Sequence, residues 1–372
     1  MKKAALLLLS SLLTLLLSAF SGCPRTSGPH LLFAGNGGST SSPGSMAAFT
    51  ATSGNLVPVT GSPFATSGHS PLTLVTVSRK FLYAAAPDSG GGGILLMPIN
   101  SDGSLGAAQL FASGGDYDGI AVTPNGKFLY AADVAGSHVV AFSIDANTGA
   151  LTGIGPQGPP PGIPVGPDPF NLGVDPQGKF LFVAACNCAT NPGLGAIWVF
   201  SINTDGTLTA VQGSPFALPA SGSTPQPSDL VVSPDSKFLF IASEDDKVYV
   251  ESIAASGALS SAAAPVSLPT GSFAGSVRTS TDGKFVYTAN IGTNNLSMLS
   301  VGAGDALIDL GEVAVGGSPS VVMADPTGGF LYATNFDGNS VVVYSIGSDG
   351  KLTQTASVGT GGVGPFGLAF SQ

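Results

Sequence analysis

The chain has 372 residues with 22 acidic and 12 basic side chains, a formal net charge of −10. Such a balance repels nucleic acid and anionic lipid surfaces, and no basic stripe offsets it. Only 9 % of residues are charged while Gly (53) and Pro (28) abound, which disfavours long helices and favours strands joined by turns.

Residues 1–22 read as a targeting segment. Lys2 and Lys3 supply the charge, Ala4 to Leu17 the apolar run, and Phe20-Ser21-Gly22 precede Cys23. The run is short of the ~20 residues that a spanning helix needs. Small residues just before a Cys resemble a bacterial lipobox, which implies Cys23 as the lipidated first residue of the mature chain. Phe20 stands where that motif has Leu, so simple secretory cleavage is the alternative. Residues 23–30 follow as a tether, and residues 31–372 as one domain.

That domain is repetitive. A strand led by Leu31, Phe81, Phe128, Phe180, Phe238, Phe285 or Phe330 recurs every 45 to 58 residues. The phrase is fullest at Pro124–Ala132, where a Pro-Asn-Gly turn runs into Phe-Leu-Tyr-Ala-Ala. Repeats of this length made only of short strands are the signature of propeller blades, here seven blades of four antiparallel strands, A to D. In the third repeat, strand A is predicted at Gly119–Thr123, B at Phe128–Ala132, C at Val139–Ile144, and D from Leu151. Pro presets φ in the A–B turn and Gly accepts its positive φ.

The C–D turns are nearly constant and each contains Gly, as tight hairpins need. The B–C and D–A connections vary, as at Gly35–Gly44, Pro87–Gly93, Gly153–Pro169, Cys186–Gly195 and Ala217–Pro227. In an antiparallel blade those two loops share one face of the disc, so length variation is segregated onto a candidate binding face. The first repeat has strands B (Leu31–Ala34), C (Met46–Ala51) and D (Leu56–Thr60) but no A. The final Pro365–Phe370 matches the A strands and is expected to close the ring beside Leu31–Ala34, removing its free edges.

The turn-plus-strand phrase, the Gly-Ser-Pro-Phe at Gly61–Phe64 and Gly213–Phe216, and the seven-fold count resemble the bacterial lactonase-like seven-bladed propellers, which overlap with the YVTN-repeat surface proteins. The resemblance implies lactone chemistry, either hydrolysis of 6-phosphogluconolactone or lactonisation of muconates by His, Arg and Glu on the loop face. The matching residues are turns and core positions, which specify fold and not activity.

Few residues here carry such chemistry. Lys80, Lys127, Lys179, Lys237 and Lys284 sit in A–B turns and Lys351 in a C–D turn, all on the face opposite the variable loops. Arg278, with Lys247, is what remains for the loop face, so a phosphosugar dianion finds few partners. Arg278 lies in an innermost strand, where fixed offsets from the strand-B Phe make Leu74, Ala121, Gly173, Val231 and Met323 its counterparts. It either pairs with a carboxylate such as Asp229 or Asp118 or contacts an anion or carbonyl in the channel. His69, in a D–A loop, is a candidate general base. His138, opening a C strand, reads as surface. With Arg278 and Asp118, His69 forms the candidate catalytic set; Asp116, Asp168, Gln226 and Asp229 are candidate ligand-binding residues around the axis.

No metal site is expected: no contiguous calcium loop appears, and Ca²⁺ would need carboxylates assembled from several blades. Cys186 and Cys188 alone cannot hold zinc, and the sequence leaves open whether they are bridged. No cofactor motif occurs. Two functions stand side by side. The first is an envelope lipoprotein, anchored through lipid alone, displaying a monomeric propeller as a scaffold for a small neutral ligand or an envelope protein. The alternative is a lactone hydrolase, sugar-lactone or 6-phosphogluconolactonase-like, acting at an axial pocket. Pro24 offers no acidic retention signal, so family resemblance implies the outer membrane as destination.

Overall fold

The computed structural model describes residues 30–39, 42–88, 91–155, 162–186, 195–220 and 222–371. The segment 1–22, Cys23 and the tether up to residue 29, and Cys188 lie outside the described residues. Cys186 is disulfide-bonded, and its partner also lies outside them. Among the described residues no helix is long and apolar enough to cross a membrane.

The described chain forms seven antiparallel sheets, each built on four strands in the order A-B-C-D. In the third blade the strands are Tyr117–Val122, Phe128–Asp133, His138–Ile144 and Leu151–Gly153, one or two residues from the predicted bounds. The local cause is legible at the A–B turn. The residue before the turn caps it, as when Asp175 Oδ1 accepts from Lys179 N and Phe180 N at 2.6 and 2.7 Å. Asp325, Ser233, Ser280 and Thr123 do the same for their strands B.

One feature departs from the predicted repeat. In blades 1, 3, 4 and 5 strand D arrives in two pieces that both pair with strand C, as with Leu151–Gly153 and Ile163–Pro164. In blades 1 and 4 the Gly-Ser-Pro-Phe motif bridges the gap. Ser62 Oγ accepts from Ala48 N at 3.0 Å and Ser214 Oγ from Val199 N at 2.9 Å. The motif is thus a side-chain substitute for ladder bonds on the outermost strand.

The ring closes as expected. Strand Pro365–Phe370 pairs with His30–Asn36 in the register Leu32↔Phe370, Phe33↔Ala369, Ala34↔Leu368, and Leu31 O takes a further bond from Ser371 N. Blades are joined by apolar clusters that each draw on two neighbouring sheets. Strand-B tyrosines add a polar link: Tyr83, Tyr130 and Tyr287 donate to the carbonyls of Gly149, Gly206 and Gly350 in the C–D turns of the next blade, at 2.6, 3.0 and 3.0 Å.

Phenylalanine takes the tyrosine's place in three blades, as Phe33, Phe182 and Phe240. The interface between blades 4 and 5 differs further from the rest. On the facing strand C, the position opposite the second residue of strand B is Phe49, Met97, Phe142, Phe200, Leu299 or Tyr344 in the other blades and Glu251 in blade 5. Glu251 is 5 % exposed and its Oε1 has no hydrogen-bond partner. Burial pushes its carboxyl up to about 7, with the Ser261 hydroxyl partly opposing.

Candidate functional site

Backbone irregularity builds the site. In five blades the A–B ladder shifts register at the loop-face end of strand A, between Gly35/Asn36, Ala132/Asp133, Pro169/Asn171, Pro227/Asp229 and Ala274/Ser276. The residue left unpaired is Phe366, Asp118, Phe170, Ser228 or Gly275. A bulge of this kind re-aims a side chain, and all five residues line one axial cavity of about 260 Å³. Leu72 to Leu74 of blade 2 and Ser320, Val321 and Met323 of blade 7 complete its wall.

Charge in the cavity centres on Arg278. Its Nη1 donates to Asp229 Oδ2 at 2.5 Å and to Val277 O at 2.6 Å. The Asp229 side chain is 2 % exposed and that of Arg278 25 %. Asp229 also accepts from Asn171 Nδ2 at 2.7 Å, Leu230 N at 2.8 Å and Val277 N at 2.9 Å. The carboxylate is therefore saturated by donors from blades 4, 5 and 6. The arginine, held at one nitrogen, keeps donors for a ligand, because a guanidinium carries five N–H groups. Of the two alternatives read for Arg278, the ion pair with Asp229 is present, and the same guanidinium lines the channel.

Asp118 faces the cavity from blade 3, its backbone carbonyl taking a 2.6 Å bond from Thr73 Oγ1. Burial first, and then the neighbouring Asp116, push its carboxyl up to about 6. Glu244, from a B–C loop, lines the same cavity and is shifted upward by burial. A carboxyl poised near neutrality and a tethered guanidinium in one cleft are the parts of a general base and an electrophile.

The structure brings Asp118, Asp229 and Arg278 together and leaves the other sequence candidates outside the cavity wall. His69 Nδ1 is 2.7 Å from Asp88 Oδ2, and Asp88 also accepts from Ser70 N, which holds the imidazole against the B–C loop that carries Asp88. Asp116 lines a separate surface hollow with Asp88. Asp168 adopts a left-handed φ of 54°, and its carbonyl accepts from Cys186 N at 3.1 Å. Gln226 is tied through its backbone, its N–H donating to Ser243 Oγ and its carbonyl accepting from Glu244 N.

Sequence reasoning missed Asn171 and Ser228, together with the apolar lining. Asn171 was findable: it occupies the strand-A position of Asp229 one blade earlier. The register also corrects one counterpart of Arg278. Arg278 lies opposite Tyr287, and in blade 2 Val75, not Leu74, lies opposite Tyr83, because that A–B turn is one residue shorter. His138, read as surface, is half-buried. It lies 3.4 Å from Asp133, and a Cβ on Gly162 would come within 1.6 Å of its ring, so its role is packing. Among the described residues no group of three or more His, Cys, Asp or Glu is arranged to hold a metal ion.

Comparison with known proteins bears on this cavity. A family model described as "Lactonase, 7-bladed beta-propeller" matches residues 80–271 and 227–364, well over half of the chain. A 6-phosphogluconolactonase of Klebsiella pneumoniae is 27 % identical over 187 residues, 49 % of each chain. The chain spans about half or less of the length of the curated relatives it matches. Among solved structures, a protein from Lactobacillus plantarum superposes with a TM-score of 0.74 at 20 % identity, covering 92 % of this chain and 100 % of that one. A Pseudomonas aeruginosa protein described as a periplasmic gluconolactonase does so at 0.71 and 19 % identity, covering 92 % and 99 %. At these identities the structural likeness shows the fold.

Proposed function

The chain belongs to the lactonase seven-bladed β-propeller family, and on that footing we propose that it hydrolyses a lactone in the axial cavity. The observation that carries the proposal is the pairing of Asp118, near neutrality, with Arg278 in one cleft lined by all seven blades. Ionised Asp118 takes a proton from a water that attacks the lactone carbonyl. Arg278 donates to the oxygen on which charge develops, and Asp229 holds it in place. Collapse breaks the ring C–O bond, and the departing alkoxide recovers the proton from the Asp118 carboxyl. The product is a hydroxycarboxylate, with one proton released to solution near neutral pH.

Charge argues against a phosphorylated substrate. Arg278 is the cation on the cavity wall, Asp229 already neutralises it, and Asp118 and Glu244 add negative charge. The Lys ring cannot help, since Lys127, Lys179, Lys237 and Lys284 are exposed at A–B turns on the opposite face.

Export is part of this reading. It is supported by the charged-then-apolar residues 1–22, by the disulfide at Cys186, which suits an oxidising compartment, and by a neighbour described as periplasmic. Lipid attachment at Cys23 is its finer form. Cys23→Ser is expected to release the protein from membranes, and an unchanged membrane fraction would refute the anchor.

The deciding assay for the enzyme is proton release in a pH-stat with a panel of lactones. Turnover that Arg278→Ala and Asp118→Asn each abolish supports hydrolysis. A purified protein inert towards every lactone returns the molecule to the scaffold reading.

A further inference from the structure

The cavity wall divides into two unlike halves. Blades 3 to 6 contribute Asp118, Asn171, Ser228, Asp229, Glu244 and Arg278, with Phe170 as the apolar exception. Blades 7, 1 and 2, contiguous through the closure, contribute Val321, Met323, Phe366, Leu368, Leu72 and Leu74. On this apolar arc the polar side chains are Thr73, whose hydroxyl is bonded to Asp118 O, and Ser320, which is 4 % exposed.

Above the same sector the rim is apolar too. Of the seven large hydrophobic residues most exposed among those described, Phe336 and Val363 lie on loops of blades 7 and 1 at the cavity face, and Phe273 and Ile291 flank them on loops of the adjoining blade 6. Phe336 meets the cavity-lining Phe366 edge-on, with ring centroids 6.4 Å apart. A continuous apolar track therefore runs from the catalytic half of the cavity, past Phe366, to solvent at Phe336.

Resting on the lactone-hydrolase reading, we propose that the substrate is an uncharged lactone whose ring carries an alkyl chain. The ring carbonyl meets Arg278 and Asp118, and the chain lies along Met323, Phe366 and Leu368 towards Phe336. A polyhydroxylated sugar lactone fits this wall poorly. Its ring hydroxyls would face the apolar arc unpaired, and each unpaired hydroxyl in an apolar setting is costly. An alkyl chain there is removed from water along its length.

The test compares kcat/KM of the full chain for γ-butyrolactone, γ-octalactone, γ-decalactone and glucono-δ-lactone by pH-stat. The γ-lactones are expected to improve with chain length, by up to roughly four-fold per buried methylene, and to exceed the sugar lactone. Met323→Asn and the exposed-rim variant Phe336→Ser should each lower the decalactone-to-butyrolactone ratio by at least about three-fold. Faster turnover of the sugar lactone, or no dependence on chain length, overturns the substrate assignment while leaving hydrolysis standing. Failure of all four lactones overturns the hydrolase reading itself.

Discussion

Replacing Glu251 by Leu should stabilise the protein, and more at pH 8 than at pH 5. The other six blades place a large apolar side chain at this position, and Glu251 is 5 % exposed with one carboxylate oxygen unpartnered. Burial raises its carboxyl from 4.5 to about 7. A raised carboxyl favours the folded state fully below pH 4.5, and that contribution is lost as pH rises through about 7. The difference of two to three pH units corresponds to roughly 3 kcal/mol of folding stability forfeited at pH 8. Leu removes that loss and adds apolar burial, whereas Glu251→Gln removes the charge and keeps a buried polar group. Urea denaturation of wild type and both variants at pH 5 and pH 8 measures it. Asp118 is also raised, but it is common to all three proteins and drops out of the differences. A Leu variant that gains equally at both pH values, or loses stability at pH 8, would refute the reasoning.

The acid limb of kcat/KM for lactone hydrolysis should fall near pH 6, where Asp118 protonates; a pH–rate profile with its midpoint below 4.5 would assign the base elsewhere. Arg278→Ala should abolish turnover and cost about 3–5 kcal/mol of stability, since it leaves the buried Asp229 carboxylate without its counter-ion; Lys127→Ala, on the turn face, should change neither turnover nor melting. Deleting the last seven residues should lower the melting temperature far more than trimming residues 24–28, because it removes the strand paired with His30–Asn36; equal melting temperatures would count against ring closure as a source of stability.

Blade number, strand order, closure by Pro365–Phe370 and the segregation of variable loops to one face were all legible in the amino-acid sequence. They follow from interactions between near neighbours in the chain: a capped turn five residues long, a Gly inside each C–D hairpin, an apolar run that repeats. Each is decided within a few residues, so each leaves a local mark. Even the odd carboxyl at Glu251 could be found by laying the repeats over one another. The site was decided elsewhere. Asp229, Asn171 and Arg278 are brought together by blade-to-blade packing across 49 to 58 positions in the chain. Asp118 and Phe366 reach the axis through bulges that no composition announces. His69, chemically the more attractive base, was captured by Asp88 of the adjacent B–C loop. Proximity along the chain determines which strands form. Which side chains meet at the axis depends on register shifts of a single residue within the closed ring.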